Sequence, residues 1–180
     1  MSMGRVNCSP MLILFRLIHI LFGVFWAGTA IFTAVFLVPT VRALGPGGGP
    51  VMQQIGQKRK LPVYFLTAGF LTVLSGIGLY WRASGGFTNR EWLGSGTGMT
   101  FGIGAVLAIL AMTIGIVVAT PTAKRAGALG AAIASGGRPP TPEQTAEMQR
   151  LQARLGMTSA LGALLLTLTT AAMAIARYVP

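Results

Sequence analysis

Apolar residues fall into four long stretches along this chain, separated by connections in which glycine, proline and charged residues collect. The stretches run roughly over residues 11–38, 61–81, 97–120 and 155–178. Each reaches or exceeds the ~20 residues that a helix needs to cross about 30 Å of hydrocarbon. In lipid only a helix or a closed barrel satisfies its own backbone, and the short alternation of barrel strands is absent from these stretches. The pattern predicts four transmembrane helices.

Proline and glycine mark the ends of the first helix and the connection after it. Pro39 is predicted to end the first helix, so that it covers residues 11–38. The run of glycine and proline over residues 45–50 predicts a flexible break. The segment that follows, residues 51–60, has apolar side chains on one side and is predicted to form a short helix at the membrane surface.

The third connection carries a strong helix start. After a break over residues 134–140, Thr141 is placed as an N-cap, Pro142 as a first-turn residue and Gln144 as the partner in a capping box. We therefore predict that the fourth helix covers residues 142–178 and begins as an extension in the cytoplasm. Its buried cytoplasmic stripe is predicted to contain Met148, Leu151 and Leu155.

Small residues recur every three or four positions on all four predicted helices. Lipid tails are as apolar as leucine, so close backbone approach holds such helices together. We expect these faces to meet, which makes residues 1–180 a single transmembrane domain: an all-α, antiparallel four-helix bundle. The small residues are Gly23, Ala27, Ala30 and Ala34; Gly69, Thr72 and Gly76; Gly104, Ala108, Ala111, Gly115 and Ala119; and Gly156, Ala160, Ala163, Thr167 and Ala171.

A weak internal repeat links the two halves of the chain. The sequence Pro-Thr-Val-Arg at residues 39–42 is echoed by Pro-Thr-Ala-Lys at residues 121–124. Two interpretations remain open: duplication of a helical hairpin, as in transporters built from parallel repeats, or two helices obeying the same boundary rules.

Basic residues define the orientation. The chain has 14 Lys and Arg against three acidic residues, a net charge of +11, and nine of the 14 fall within residues 39–60 and 121–154. The positive-inside rule places these two loops in the cytoplasm and both termini outside, most simply across a bacterial plasma membrane. The expected partner of the charge is the anionic head groups of the bilayer, and nucleic acid is not expected to bind.

Several classes of site are excluded by composition. Cys8 is the only cysteine and His19 the only histidine, so neither an internal disulfide nor a structural zinc site can form. The chain contains no aspartate, which excludes a Ser-His-Asp triad. Its acidic residues, Glu91, Glu143 and Glu147, all lie in the connections. A proton-coupled transporter is disfavoured, because it usually needs a carboxylate at membrane depth.

Arg16 and His19 are the polar residues inside or beside the first apolar stretch. Their three-residue spacing places them on one helix face, continued by Gly23 and Trp26. One interpretation is an interfacial pair, in which Arg16 extends to the membrane surface and His19 hydrogen-bonds at the head groups. The other is that His19 is a metal ligand, binding the iron of a b-type haem held among the helices.

The predicted topology supplies further candidates for a haem site at the outer ends of the helices. Arg16, Arg82 and Arg177 would bind the propionates through charge-assisted hydrogen bonds. Met99 or Met173 would supply the second iron ligand, since two histidines are not available in one chain. The full set of candidate cofactor-binding residues is Arg16, His19, Tyr80, Arg82, Met99, Met173 and Arg177.

Several short motifs in the first 80 residues carry a family resemblance. They are Leu17-Ile18-His19-Ile20, Trp26-Ala27-Gly28, Val38-Pro39, Lys58-Arg59-Lys60-Leu61 and Ser75-Gly76-Ile77-Gly78-Leu79. Together they resemble small bacterial membrane proteins related to the copper-resistance CopD domain and, more distantly, the HemJ-type protoporphyrinogen oxidase. Proteins of the HemJ kind use a first-helix histidine for haem and a lysine at the start of the second helix. By position, the resemblance implies these roles for His19 and Lys60.

Two functional hypotheses follow from the sequence. The first is a haem-binding protein for redox chemistry or haem handling, centred on His19. The alternative is a non-catalytic accessory subunit that packs against a larger membrane complex, or against further copies of itself. Inward-facing Arg16 and His19 favour the first, and a bundle packed solid by its small residues favours the second.

Overall fold

The structure, a computed structural model, describes residues 10–180; Arg5 and Cys8 lie outside the described residues. Within residues 10–180 every regular element is helical. The α-helices are α1 (Pro10–Phe32), α2 (Val38–Ala43), α3 (Gly48–Gln53), α4 (Leu61–Ala83), α5 (Arg90–Gly94), α6 (Gly96–Ile114), α7 (Thr120–Ser135) and α8 (Pro142–Ile175). Between them lie π-helical segments at Thr33–Leu37, Gln54–Lys58 and Gly115–Ala119, and 3₁₀ turns at Gly45–Gly47 and Ala176–Tyr178.

Four continuous helical rods are long and apolar enough to cross a membrane. They cover Pro10–Ala43, Leu61–Ala83, Gly96–Ser135 and Pro142–Tyr178. The all-helical fold with four such helices agrees with the sequence pattern. Two rods run further than predicted, because the first continues past residue 38 and the third past residue 120.

The prediction that Pro39 ends the first helix is wrong. A proline removes the hydrogen bond to the carbonyl four residues earlier and its ring crowds that carbonyl. Here the carbonyl belongs to Val35, which lies inside the π-helical segment, and the wider π turn accommodates the ring so that α2 continues the rod. Pro121 repeats the arrangement with Val117 inside Gly115–Ala119, followed by α7. The two proline motifs of the weak repeat therefore share their local structure.

The fourth rod begins where its capping sequence predicts. The Thr141 hydroxyl accepts from the Gln144 backbone N–H at 3.2 Å, and the Gln144 side chain accepts from the Thr141 N–H at 3.0 Å. The helix α8 then runs for 34 residues, about 51 Å at helical rise. That length exceeds the hydrocarbon thickness, so α8 has room for an extension beyond the membrane.

The long helices contact one another through a buried layer around Trp26. The most extensive contacts join α1 to α4 and α6 to α8, while α1 also touches α8 and α4 touches α6. Trp26 is 3% exposed and packs edge to face on Phe65, with ring centroids 6.2 Å apart. The buried members of this core are Trp26, Ala30, Ala68, Ala108, Ala111 and Leu166.

Glycine and other small residues set the spacing of the α1–α4 pair. A Cβ atom on Gly69 would lie 3.0 Å from the Trp26 ring, and a Cβ on Gly23 would lie 3.4 Å from the Thr72 methyl group. The small faces of these two helices therefore meet as expected. Gly115 is different, because a Cβ there would meet no other atom within 4 Å.

The two connections with basic residues fold against each other at one end of the molecule. Gln57, at the end of the first connection, approaches Gly127 of α7, and Met148 of α8 approaches Gly130 of α7. In the predicted stripe of α8, Leu151 is buried while Met148 and Leu155 are half-buried. The segment predicted over residues 51–60 is helical as far as Lys58, in the second half of α3 and the π turn that follows it. The break predicted over residues 45–50 is wrong, because a 3₁₀ turn and the start of α3 at Gly48 occupy it.

Candidate functional site

His19 lies in the groove between α1 and α4. Its Nδ1 atom is 2.8 Å from the carbonyl oxygen of Thr72. The ring rests on Gly76, where a Cβ would come within 2.8 Å of Cε1 and 3.0 Å of Nδ1. Only a residue without a side chain at position 76 leaves room for the imidazole. The small-residue face of α4 therefore also packs against the His19 ring.

The contact with Thr72 determines which nitrogen of the neutral ring carries hydrogen. A carbonyl oxygen can only accept, so Nδ1 is assigned as the donor and Nε2 keeps its lone pair. Metal-binding histidines are held in the same way, with one N–H donated to a carbonyl or carboxylate and the other nitrogen on the metal. In this tautomer the Nε2 atom of His19 carries the lone pair, with which it can act as a base or a ligand.

Hydroxyl groups beside His19 are bound to the backbone. Thr72 donates to the Ala68 carbonyl at 2.7 Å, and Ser75 donates to the carbonyls of Leu71 at 2.5 Å and Thr72 at 3.1 Å. The Thr72 carbonyl accepts the helical N–H of Gly76, and His19 Nδ1 makes a second bond to it. The one hydrogen of the Ser75 hydroxyl is shared between Leu71 and Thr72, with Leu71 closer. This arrangement fixes the imidazole without any carboxylate.

Tyr80 and Met173 lie near the same end of the molecule as His19. The Tyr80 hydroxyl donates to the Gly98 carbonyl at 3.2 Å, and its ring packs on Trp92 with centroids 5.1 Å apart. The Met173 methyl group sits against Gly104, where a Cβ would come within 2.9 Å. His19 therefore has its described partners on α4, whereas Tyr80 and Met173 both meet α6.

The remaining candidates are exposed. Arg16, Arg82 and Arg177 are exposed at the end of the molecule that holds His19, where their side chains are available to an anionic group. Met99 is 54% exposed, so it lies outside the packed interior that Met173 enters. Of the two methionines proposed as ligands, Met173 is the one placed within the bundle.

The lysine implied by the family resemblance is far from the histidine. Lys60 directly precedes α4, whereas His19 meets α4 at Gly76. Sixteen residues of helix separate these points, roughly 24 Å. The structure therefore does not bring His19 and Lys60 into one site.

Whether the residues present suit a haem depends on the position along the bundle axis. At the level of Trp26 the interior is closed, with a cavity of about 10 Å³ lined by Trp26, Phe65, Leu66, Gly69, Ala111, Met112 and Gly115. Sites for organic ligands have volumes of roughly 300–1,000 Å³. At the level of His19 the donor set fits: a half-buried imidazole with a free Nε2 and exposed arginines for the propionates. The donor atoms that a haem needs therefore lie beyond Trp26, toward the His19 end.

Thr169 carries a buried hydroxyl oxygen without a hydrogen-bond partner in the described residues. It lies on the inward face of α8, one turn from Met173. We expect Thr169→Val to keep or raise the free energy of unfolding, by about 1 kcal/mol, because valine removes a buried group that is costly to leave unpaired. Thermal unfolding in detergent micelles measures the effect. Thr167→Val is the matched control, since exposed Thr167 donates to the Ala163 carbonyl at 2.8 Å. A larger loss at residue 169 than at residue 167 would show that the hydroxyl has a partner in the folded protein.

Comparisons of the chain with protein-family models, with curated proteins and with solved structures gave no match. The function of the chain is therefore inferred from the chemistry around His19 and from the distribution of charge.

Proposed function

We propose that this chain is a multi-pass plasma-membrane protein, an antiparallel four-helix bundle that binds b-type haem through His19 for redox chemistry or haem handling. The antiparallel order is supported by the α1–α4 contacts. Gly23 contacts Thr72 and His19 contacts Gly76, so an earlier residue of α1 pairs with a later residue of α4, as in antiparallel helices.

Insertion into lipid is supported by the outward faces of the rods. Large apolar side chains cover them, among them Val24 at 69% and Val117 at 65% exposure. Apolar patches of this extent are unfavourable in water and favourable against hydrocarbon tails. The bilayer with its anionic head groups is the proposed partner of these faces and of the basic loops.

The proposed orientation has both termini outside and loops 39–60 and 121–154 in the cytoplasm. Those loops hold nine cationic side chains, whereas the opposite end of the described chain holds Arg16, Arg82, Arg90 and Arg177. The asymmetry supports this direction by the positive-inside rule. His19 then lies toward the outer surface.

Haem binding rests on one observation, the donation from His19 Nδ1 to the Thr72 carbonyl at 2.8 Å. This contact leaves Nε2 free and fixes the ring, as in other histidines that hold metals. Arg16, Arg82 and Arg177 would bind the propionates, and Met173 is the interior candidate for a second iron ligand. A bound haem b would supply one-electron chemistry, while the residues of this chain position it and exclude water.

The visible absorption spectrum of protein purified from haem-replete cells tests the proposal. We expect a Soret band in the wild type and its complete loss in His19→Ala, because the variant has no other imidazole. Thr113→Ala is the control, since Thr113 is an exposed residue that donates to its own helix at the Ile109 carbonyl. A colourless wild-type protein would exclude haem binding.

A non-catalytic accessory subunit is the second candidate, favoured by the closed interior around Trp26. In that case the bundle would act through its outer surfaces, on a larger membrane complex or on further copies of itself. The visible spectra of His19→Ala and the wild type would then be the same. Cross-linking in native membranes would trap a partner through the outward helix faces.

A further inference from the structure

We propose that the chain holds one anionic phospholipid at a defined place, with the Arg42 guanidinium binding its phosphate where this side chain of α2 reaches α8. This site lies at the opposite end of the bundle from His19. The inference rests on the membrane placement of the proposed function and is independent of haem.

The Arg42 side chain is held against α8 by a hydrogen bond to the α8 backbone. Its Nη2 atom donates to the Gln152 carbonyl at 3.3 Å, and the guanidinium lies over Gly156 so closely that a Cβ there would collide with it. One N–H is used in this bond, and the exposed side chain keeps its other donors free. A guanidinium fixed in this way presents its remaining N–H groups in one direction, which suits a phosphate.

Two further cations, Lys58 and Lys124, lie on segments that meet at the same end of the molecule. Gln57 approaches Gly127 of α7. Lys58 directly follows Gln57, and Lys124 lies one helical turn before Gly127. The contact therefore brings the backbone segments that carry Lys58 and Lys124 to the same end of the molecule, which adds positive charge there.

The acidic residues of the chain do not compensate this charge. Residues 39–60 and 121–141 contain no Asp or Glu, and the nearest acidic residue along α8 is Glu147. Glu147 lies five residues before Gln152 and nine before Gly156, which is about 140° and 180° around α8 from them. The carboxylate therefore starts from the other side of α8 from the guanidinium, and no ion pair joins Glu147 to Arg42 among the described residues.

The position along the rods favours a lipid over a free anion. Arg42 lies four residues beyond the end of the first apolar stretch, and Gly156 lies at the start of the last one. Both therefore sit at the boundary of the hydrocarbon, where the phosphates of phospholipids lie. Basic sites between helices on the cytoplasmic side are suited to such head groups.

Native mass spectrometry of detergent-purified protein titrated with dioleoylphosphatidylglycerol tests the site. We expect one lipid to bind to the wild type, with dioleoylphosphatidylcholine and inorganic phosphate at least about tenfold weaker. Arg42→Gln is expected to weaken the phosphatidylglycerol complex about tenfold, as loss of a charge-assisted hydrogen bond would. Gly156→Ala keeps every charge but displaces the guanidinium, so it should weaken the complex in the same direction.

Arg138→Gln is the matched control, because it removes the same charge from an exposed residue 18 positions from Gly156. If Arg42→Gln and Arg138→Gln weakened phosphatidylglycerol binding equally, the effect would be general attraction between basic residues and anionic lipid. That result would overturn the proposed site. Equal affinity for inorganic phosphate would overturn the choice of a lipid. A wild-type protein that stays in water without detergent would instead refute membrane placement, on which this inference depends.

Discussion

Gly69→Leu is expected to destabilise the protein by about 3 kcal/mol, the upper end of typical overpacking costs. A Cβ at residue 69 would already lie 3.0 Å from Cε2 and 3.2 Å from Cζ2 of Trp26. Trp26 is 3% exposed and is surrounded by the core of all four rods, and the cavity beside it, about 10 Å³, is too small to take a displaced ring. The helices α1 and α4 must therefore separate, which loses contacts along their whole interface.

Gly28→Leu separates this packing effect from helix propensity. A Cβ at residue 28 would meet nothing within 4 Å, and the residue lies on the exposed side of α1. Both substitutions replace a helical glycine by the same good helix former, so both gain the same propensity. Thermal unfolding in micelles, followed by circular dichroism, compares them. Equal stability of the two variants would contradict the close α1–α4 packing.

Labelling of single cysteines from outside intact cells is expected to give an all-or-none pattern. In a Cys8→Ser background, a membrane-impermeant maleimide should label Thr88→Cys and leave Gly47→Cys and Ser135→Cys unlabelled. The reason is that the loops containing residues 47 and 135 carry the excess of lysine and arginine, and the positive-inside rule assigns such loops to the cytoplasm.

Permeabilised cells provide the control for this experiment. All three positions are exposed, so each cysteine should react once the membrane is opened. Labelling of residues 47 and 135 in intact cells would invert the topology. His19 would then lie on the cytoplasmic side, and the proposed phospholipid site would lie in the outer leaflet.

The rods and the α8 capping box could be predicted from sequence because each depends on residues that are close together in the chain. Four apolar stretches predict four helices whatever their neighbours are. The capping box of Thr141 and Gln144 involves residues three positions apart, so the sequence contains both partners. The small face of α4 was also visible from its spacing, and Gly69 and Gly76 indeed meet α1.

The details that position the candidate site could not be predicted, because they join distant residues. His19 and the Thr72 carbonyl are 53 positions apart, and every residue has a carbonyl, so no side-chain pattern marks the acceptor. Arg42 and Gln152 are 110 positions apart. The continuation past Pro39 was missed for another reason: a proline predicts a break in an α-helix, and a π turn is the exception that removes the conflict.

The π turns at Thr33–Leu37 and Gly115–Ala119 have a consequence for how the rods change over evolution. Each π turn accommodates one residue more than an α-helix would, which rotates everything beyond it by about 100° relative to an uninterrupted α-helix. The helix face that packs before each π turn and the face that packs in the basic extension after it therefore do not follow one continuous helical register. Insertions or deletions at these two turns would rotate the extension while leaving the α1–α4 and α6–α8 contacts that precede the turns in register.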